Sequence, residues 1–119
     1  RGSRETMTML RNGTGDKASL LRFTLKDFPC FTLWKNTAGM ADGYVTGLEP
    51  ATSYPNSRRF EREKGRVITL AGGESRTTTL SIETLDTKKA IKAAEAEIKT
   101  LQKTAKAKVH RQPLSSFSD

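Results

Sequence analysis

A two-residue period runs through the first part of the chain and limits what it can become. In "ETMTMLR", residues 5–11, polar and apolar side chains alternate as they do on a strand with one face turned to a core. "NGTGD" follows, and its Asn12-Gly13 step can take up the positive φ angles of a tight turn. "ASLLRFTLK" then reads as the return strand of a hairpin, with Leu21, Phe23 and Leu25 on one face and Arg22, Thr24 and Lys26 on the other. "CFTLWKN" and "YVTGLE" read as two further short strands separated by the turn-rich "TAGMADG". "GRVITL", the turn "AGGES" and "RTTTLSIETL" make a second hairpin, rich in the β-branched residues that suit a pleated surface. Residues 5 to 85 are thus expected to hold five or six strands of an antiparallel sheet with one wetter face.

After Leu85 the period changes. "DTKKAIKAAEAEIKTLQKTAKAKV" has neither Gly nor Pro and is full of helix formers, with Asp86 or Thr87 available as N-cap. Ile91, Ala94, Ile98, Leu101 and Ala105 recur at spacings of three and four, while Lys88, Lys92, Lys99, Lys103 and Lys106 gather opposite. The pattern predicts an amphipathic helix over 87–109. "HRQPLSSFSD" reads as a flexible tail over 110–119.

Composition narrows the class. A chain of 119 residues has the length of one domain, and 34% hydrophobic residues with a mean hydropathy of −0.60 leaves only a thin core. The single cysteine, Cys30, cannot close an internal disulfide, so a reducing, cytoplasmic setting is expected. No cysteine and histidine cluster has metal-ligand spacing, and no phosphate loop or dinucleotide fingerprint is present, so neither a metal nor an organic cofactor is expected. No apolar run approaches the roughly 20 residues that cross a bilayer, and "RGSRETM" lacks the apolar core of a secretion signal. The net charge of +8 raises the possibility of a nucleic-acid partner. From Thr87 onward, however, eight Lys and Arg face three acids, so most of the excess sits on the wet side of the helix and in the tail.

The segment from "FPCFTLWKN" to "LSIETL" resembles the C-terminal part of the aldose 1-epimerase, or galactose mutarotase-like, family. The matching elements are "LWKN", "GLEP", "YPNS" and "LAGGES" followed by "TTTLSIE", in the family's order over about half the chain. The wording "LEPATSYPNSRRFERE" is closest to an uncharacterised branch. The resemblance implies a mainly β fold: residues 1–86 as the C-terminal part of a mutarotase-like β-supersandwich, followed by the helix and the tail. It also implies that Glu49 is the general base that takes the proton from the anomeric hydroxyl of a sugar, while a histidine protonates the ring oxygen.

That chemistry needs a carboxylate held on a rigid strand end within reach of the hydroxyl, opposite an acid across the ring. In Gly47-Leu48-Glu49-Pro50, Leu48 would face the core, Glu49 the cleft, and Pro50 would fix the exit. The one histidine, His110, lies in the basic tail and is assigned no catalytic part, because the family's histidines lie upstream of the matched region. The chain is therefore expected to be a C-terminal fragment or a truncated relative, carrying the base but not the acid and inactive alone. Trp34 offers an aromatic face for sugar C–H groups, or a core residue; Asn36 offers an amide for hydroxyls, or a turn former. Arg58, with Arg59, Arg62 and Arg66, could neutralise a phosphate or an acidic sugar, although the interleaved Glu61 and Glu63 read as a surface ion-pair loop. Cys30, between Phe28 and Phe31, reads as a buried small hydrophobe.

Two alternatives stand beside the isomerase. One is a sugar-binding module without turnover on the same architecture. The other, less favoured, is a small basic nucleic-acid-binding protein. Exposed sheet edges predict self-association.

Overall fold

The computed structural model describes residues 4–103 and 107–118. Among the described residues, five strands, β1 (Glu5–Arg11), β2 (Ala18–Thr24), β3 (Cys30–Lys35), β4 (Thr46–Ala51) and β5 (Ser81–Leu85), are joined by two α-helices, α1 (Arg58–Glu63) and α2 (Lys88–Gln102). The chain forms two compact units, one of residues 1–26 and 78–110 and one of residues 27–77 and 111–119. All strand pairing among the described residues is antiparallel, so the architecture is mainly antiparallel sheet with a C-terminal helix, as expected.

The first unit is a three-stranded sheet of order β1-β2-β5 with α2 against it. β1 and β2 are in register from Glu5↔Thr24 to Arg11↔Ala18. The turn between them is longer than an Asn-Gly step. Asn12 keeps a negative φ, and its side-chain oxygen accepts from the amides of Asp16 and Lys17, each at 3.2 Å. The positive φ falls on Gly15, at 68°. An Asn side chain that mimics a backbone acceptor competes with the left-handed conformation the dipeptide alone favours.

The faces of β2 differ from the simple alternation. As the central strand it is covered on both sides, and the step Leu20-Leu21 breaks the period. Leu21 and Phe23 are buried on one face. Leu20, buried at 1% exposure, lies on the other, with Arg22. The face expected to be wet is the one on which α2 packs. Arg22 forms a forked pair with Glu97 of α2 at 2.7 and 2.9 Å and also bonds Glu83 of β5, while Arg11 pairs with Glu95 at 3.0 Å. The helix thus turns its acids to the sheet's arginines. Lys88, Lys92, Lys99 and Lys103 are exposed.

Helix α2 begins where its cap predicts: Thr87 Oγ1 accepts from the amide of Ala90 at 3.2 Å. Its apolar stripe is used unevenly. Ile91 and Ala94 are buried, Ile98 is half-buried and Leu101 is exposed; Ala105 and Lys106 lie outside the described residues. Residues 107–110 carry no helix.

The predicted second hairpin does not form. Residues 66–80 contain no strand, and Ser81–Leu85 pairs with β2, from Ala18↔Leu85 to Arg22↔Ser81. The Gly72-Gly73 turn is real: the Glu74 amide donates to the Ala71 carbonyl at 3.0 Å, and Gly73 has φ 79°. Turn chemistry and β propensity are both local, whereas a ladder needs a partner, and β5 finds one about sixty residues earlier.

Because Leu20 closes the small core from the centre of the sheet, Leu20→Ala should lower stability by about 2–5 kcal/mol. A shift of the urea midpoint without a change of slope would confirm it.

Candidate functional site

The second unit begins with the hairpin of β3 and β4, paired from Cys30↔Ala51 to Lys35↔Thr46. Residues directly opposite each other in an antiparallel pair point to the same face. Thr32↔Glu49 and Trp34↔Gly47 therefore place Trp34, Thr32, Gly47 and Glu49 on one face. Leu33↔Leu48 and Phe31↔Pro50 occupy the other. Trp34 is 49% exposed and Glu49 is exposed. An indole and a carboxylate on diagonal positions are about 7–8 Å apart at the backbone, the span of one pyranose ring with its hydroxyls.

Glu49 is not at a strand end. β4 continues through Pro50 to Ala51, and Pro50 stands opposite Phe31. Proline lacks an N–H, so position 50 donates nothing to the ladder, which an outer strand tolerates. The turn that follows Lys35 is organised by Asn36. Its amide N–H donates to the Val45 carbonyl at 3.1 Å, and its side-chain oxygen accepts from the Ala38 amide at 3.0 Å. The Thr46 hydroxyl donates to the Trp34 carbonyl, fastening the same end of the hairpin. Arg58 opens α1 and is exposed, with no hydrogen bond or ion pair to Glu49. The structure thus brings Trp34 and Glu49 onto one face and gives Asn36 to the turn.

Sequence patterning missed α1. Ser57 Oγ accepts from the Phe60 amide at 3.3 Å, and Gly65 follows the helix with φ 71°. A Ser N-cap and a Gly just past the end bracket "RRFERE", and that pair of signals was available in the sequence. Arg59 and Glu63 form the expected exposed pair at 3.1 Å. Glu61 does not belong to a surface loop. It is 2% exposed, and its carboxylate accepts two bonds from Arg66, both at 2.6 Å, one from Asn56 Nδ2 at 2.7 Å and one from the Tyr54 amide at 3.1 Å. Arg66 in turn lies 5.1 Å from the Tyr54 ring centre and donates to the Ser116 carbonyl at 2.9 Å.

Asn56 Nδ2 reaches the Phe117 carbonyl at 3.0 Å, and the Phe117 ring meets Tyr54 edge-on at 5.4 Å. Residues 116–117, in the segment expected as a flexible tail, are fastened at this node. The Arg66 guanidinium, with the Asn56 and Tyr54 donors, holds the Glu61 carboxyl down at about 2. Burial pushes the Tyr54 phenol up. Cys30 is buried, as expected.

A groove in the first unit is lined by Met7, Phe23, Arg22, Glu97 and Leu101, among others. Its one guanidinium is already held by Glu83 and Glu97, and none of the candidate site residues lines it. Among the described residues no group of three or more His, Cys, Asp or Glu could hold a metal ion, and no helix is long and apolar enough to cross a membrane.

A family model described as "Domain of unknown function (DUF4432)" matches residues 2–84. The chain belongs to this family. It is also similar to a solved structure described as a "putative aldose 1-epimerase" from Klebsiella pneumoniae subsp. pneumoniae, at 35% identity and a TM-score of 0.78. The match covers 86% of this chain and 27% of that one, so the chain spans about a quarter of the length of its structural neighbour. The antiparallel fold with its closing helix is that of the epimerase-like neighbour. No curated protein matches.

The buried carboxylate makes the second unit acid-sensitive. Because the Glu61 pKa falls from 4.5 to about 2 on folding, its stabilisation is complete above about pH 4.5 and is lost as pH falls toward 2. Fluorescence of Trp34, the single tryptophan, should follow that loss. Glu61→Gln should be less stable at pH 7 and show a shallower acid dependence.

Proposed function

We propose that this chain carries the base-bearing part of a sugar site of the aldose 1-epimerase type, with Glu49 as the base and Trp34 as the platform. The observation that carries the proposal is the common face of Trp34, Gly47 and Glu49 on the antiparallel hairpin of β3 and β4. It is supported by the 35% identity to the epimerase-like neighbour. In this reading residues 1–86 contribute to a larger β-sandwich, α2 covers one face of the first sheet, and residues 110–119 form the terminal segment. The natural partner is a monosaccharide or a derivative, in a reducing, cytoplasmic setting. The reaction uses no metal or organic cofactor.

The chemistry follows from the groups. A pyranose lying with its C–H face on the Trp34 indole presents polar edges outward. Glu49 accepts the proton of the anomeric hydroxyl as the bond from the anomeric carbon to the ring oxygen breaks, and an acid delivers a proton to that oxygen. The open-chain aldehyde turns about its first C–C bond and closes with the anomeric centre inverted. Both proton transfers reverse, so no net proton is consumed. The acid is a group other than Glu49 and Trp34.

Asn36 and Arg58 border this reading rather than centre it. Asn36 keeps its side-chain N–H groups near the turn, 3.5 Å from the Gly43 carbonyl, and would meet a sugar hydroxyl only by exchanging that contact. Arg58 would serve a phosphorylated or acidic sugar. A sugar-binding module without turnover on the same architecture is the second reading. The nucleic-acid reading is weaker, since Arg11, Arg22, Arg59 and Arg66 are engaged by carboxylates.

Saturation-transfer NMR of the anomers of D-glucose and D-galactose, with the full-length protein, separates these readings. Glu49→Gln should slow exchange by about 10²–10⁴-fold, the usual contribution of a positioned acid or base. Equal rates in the two proteins would remove Glu49 from the reaction, and sugar binding without exchange in the parent protein would establish the module. Trp34→Ala should weaken sugar binding about tenfold, in line with a lost aromatic contact.

A further inference from the structure

Position 47 carries no side chain, and the Glu49 carboxylate occupies the room this leaves. The two residues are neighbours on one face of β4, opposite Trp34 and Thr32 of β3. A Cβ built at position 47 would lie 2.5 Å from Glu49 Oε1 and 3.3 Å from both its Cγ and its Cδ. That is far inside the van der Waals distance of carbon and oxygen. The Glu49 side chain is therefore folded back along the strand, over the residue that pairs with Trp34, instead of standing out from the face.

The backbone gives no other reason for a glycine here. Gly47 is not among the residues with positive φ, and it lies within a strand, where glycine weakens the structure through lost packing and added freedom in the unfolded chain. At Gly15, Gly43, Gly65 and Gly73 the φ angle itself explains the residue. At Gly47 the three heavy atoms nearest to the missing Cβ all belong to the Glu49 side chain.

We infer that Gly47 is a positioning residue for Glu49: its bare Cα is the seat that holds the carboxylate beside the Trp34 platform, where a hydroxyl of a stacked pyranose can reach it. This rests on the sugar-site reading proposed above. It adds a specificity element to that site, because any side chain at position 47 must displace either the carboxylate or the sugar.

The test is Gly47→Ala in the full-length protein, with three readouts. The first is the melting temperature, which should stay level or rise, since alanine suits the strand conformation and restricts the unfolded chain. The second is the side-chain carboxyl ¹³C resonance of Glu49, which should move. The third is anomeric exchange of D-glucose and D-galactose, where kcat should fall about tenfold to a hundredfold, the scale of a 1 Å misplacement, with a smaller change in KM. Adding Gly47→Ala to Glu49→Gln should produce no comparable further loss.

An unmoved Glu49 resonance with wild-type exchange in Gly47→Ala would overturn the inference. So would an equal fractional loss in the Glu49→Gln background, which marks a general structural effect. If Gly47→Ala lowers the melting temperature, the pair Gly47→Ala with Glu49→Ala should restore it, and failure to do so would also count against the seat. If Glu49→Gln alone leaves exchange unchanged, the sugar-site reading fails. The Glu49 resonance in Gly47→Ala then still decides whether the glycine places that side chain.

Discussion

The pairing of β2 with β5 is the constraint on which the first unit depends. β1 reaches β2 through a short turn, a contact with little entropy to overcome. β5 arrives only after residues 25–80 have been passed. Closing so long a segment is unfavourable before any contact compensates for it. The compensation is concentrated at one place. The ladder sets Glu83 across from Leu20 and beside Arg22, and Arg22 also receives Glu97 from α2, whose Ile91 and Ala94 are buried. Strand pairing, an ion-pair fork and the burial of Leu20 thus meet at the middle of one strand. Without that closure, α2 would have only part of a sheet on which to bury its apolar side.

The second unit depends on a different device. Glu61 has left water almost completely, and its carboxylate is held by two Arg66 bonds and donors from Asn56 and Tyr54. A buried charge is tolerated when its lone pairs are met in this way, and it is strongly destabilising when one partner is removed. The geometry is directional, so the node orients what it touches. The loop after β4, helix α1 and residues 116–117 are brought together by it. The Glu49 face is adjacent in sequence and belongs to the same unit, so the hairpin and the node share one scaffold while serving different ends.

Much of this was legible from local pattern. The limits of β1, the start of β2 and β3, the cap at Thr87 and the burial of Cys30 follow from period, propensity and size. The failures share a cause. The strand predicted over "GRVITL" had the right residues but no partner. Arg22 looked like a solvent-facing residue until α2 supplied Glu97, and Glu61 looked like part of a surface ion-pair loop until Arg66, Asn56 and Tyr54 closed around it. In each case a contact between residues distant in sequence, or a burial that spacing cannot register, set the outcome. Helix α1 is the exception, since its cap and its closing glycine were both in view.

At the candidate site the division is the same. The sequence by itself determined that Glu49 sits in a strand-like step with Gly47 two residues before it, and that Trp34 lies on another strand, because alternation and turn residues are properties of neighbours along the chain. Only the tertiary structure decided that Trp34 shares the face of Gly47 and Glu49, through the register Trp34↔Gly47 and Thr32↔Glu49. A shift of one residue in that pairing would have turned the indole away from the carboxylate, and register is chosen by packing across strands, not by residues within one.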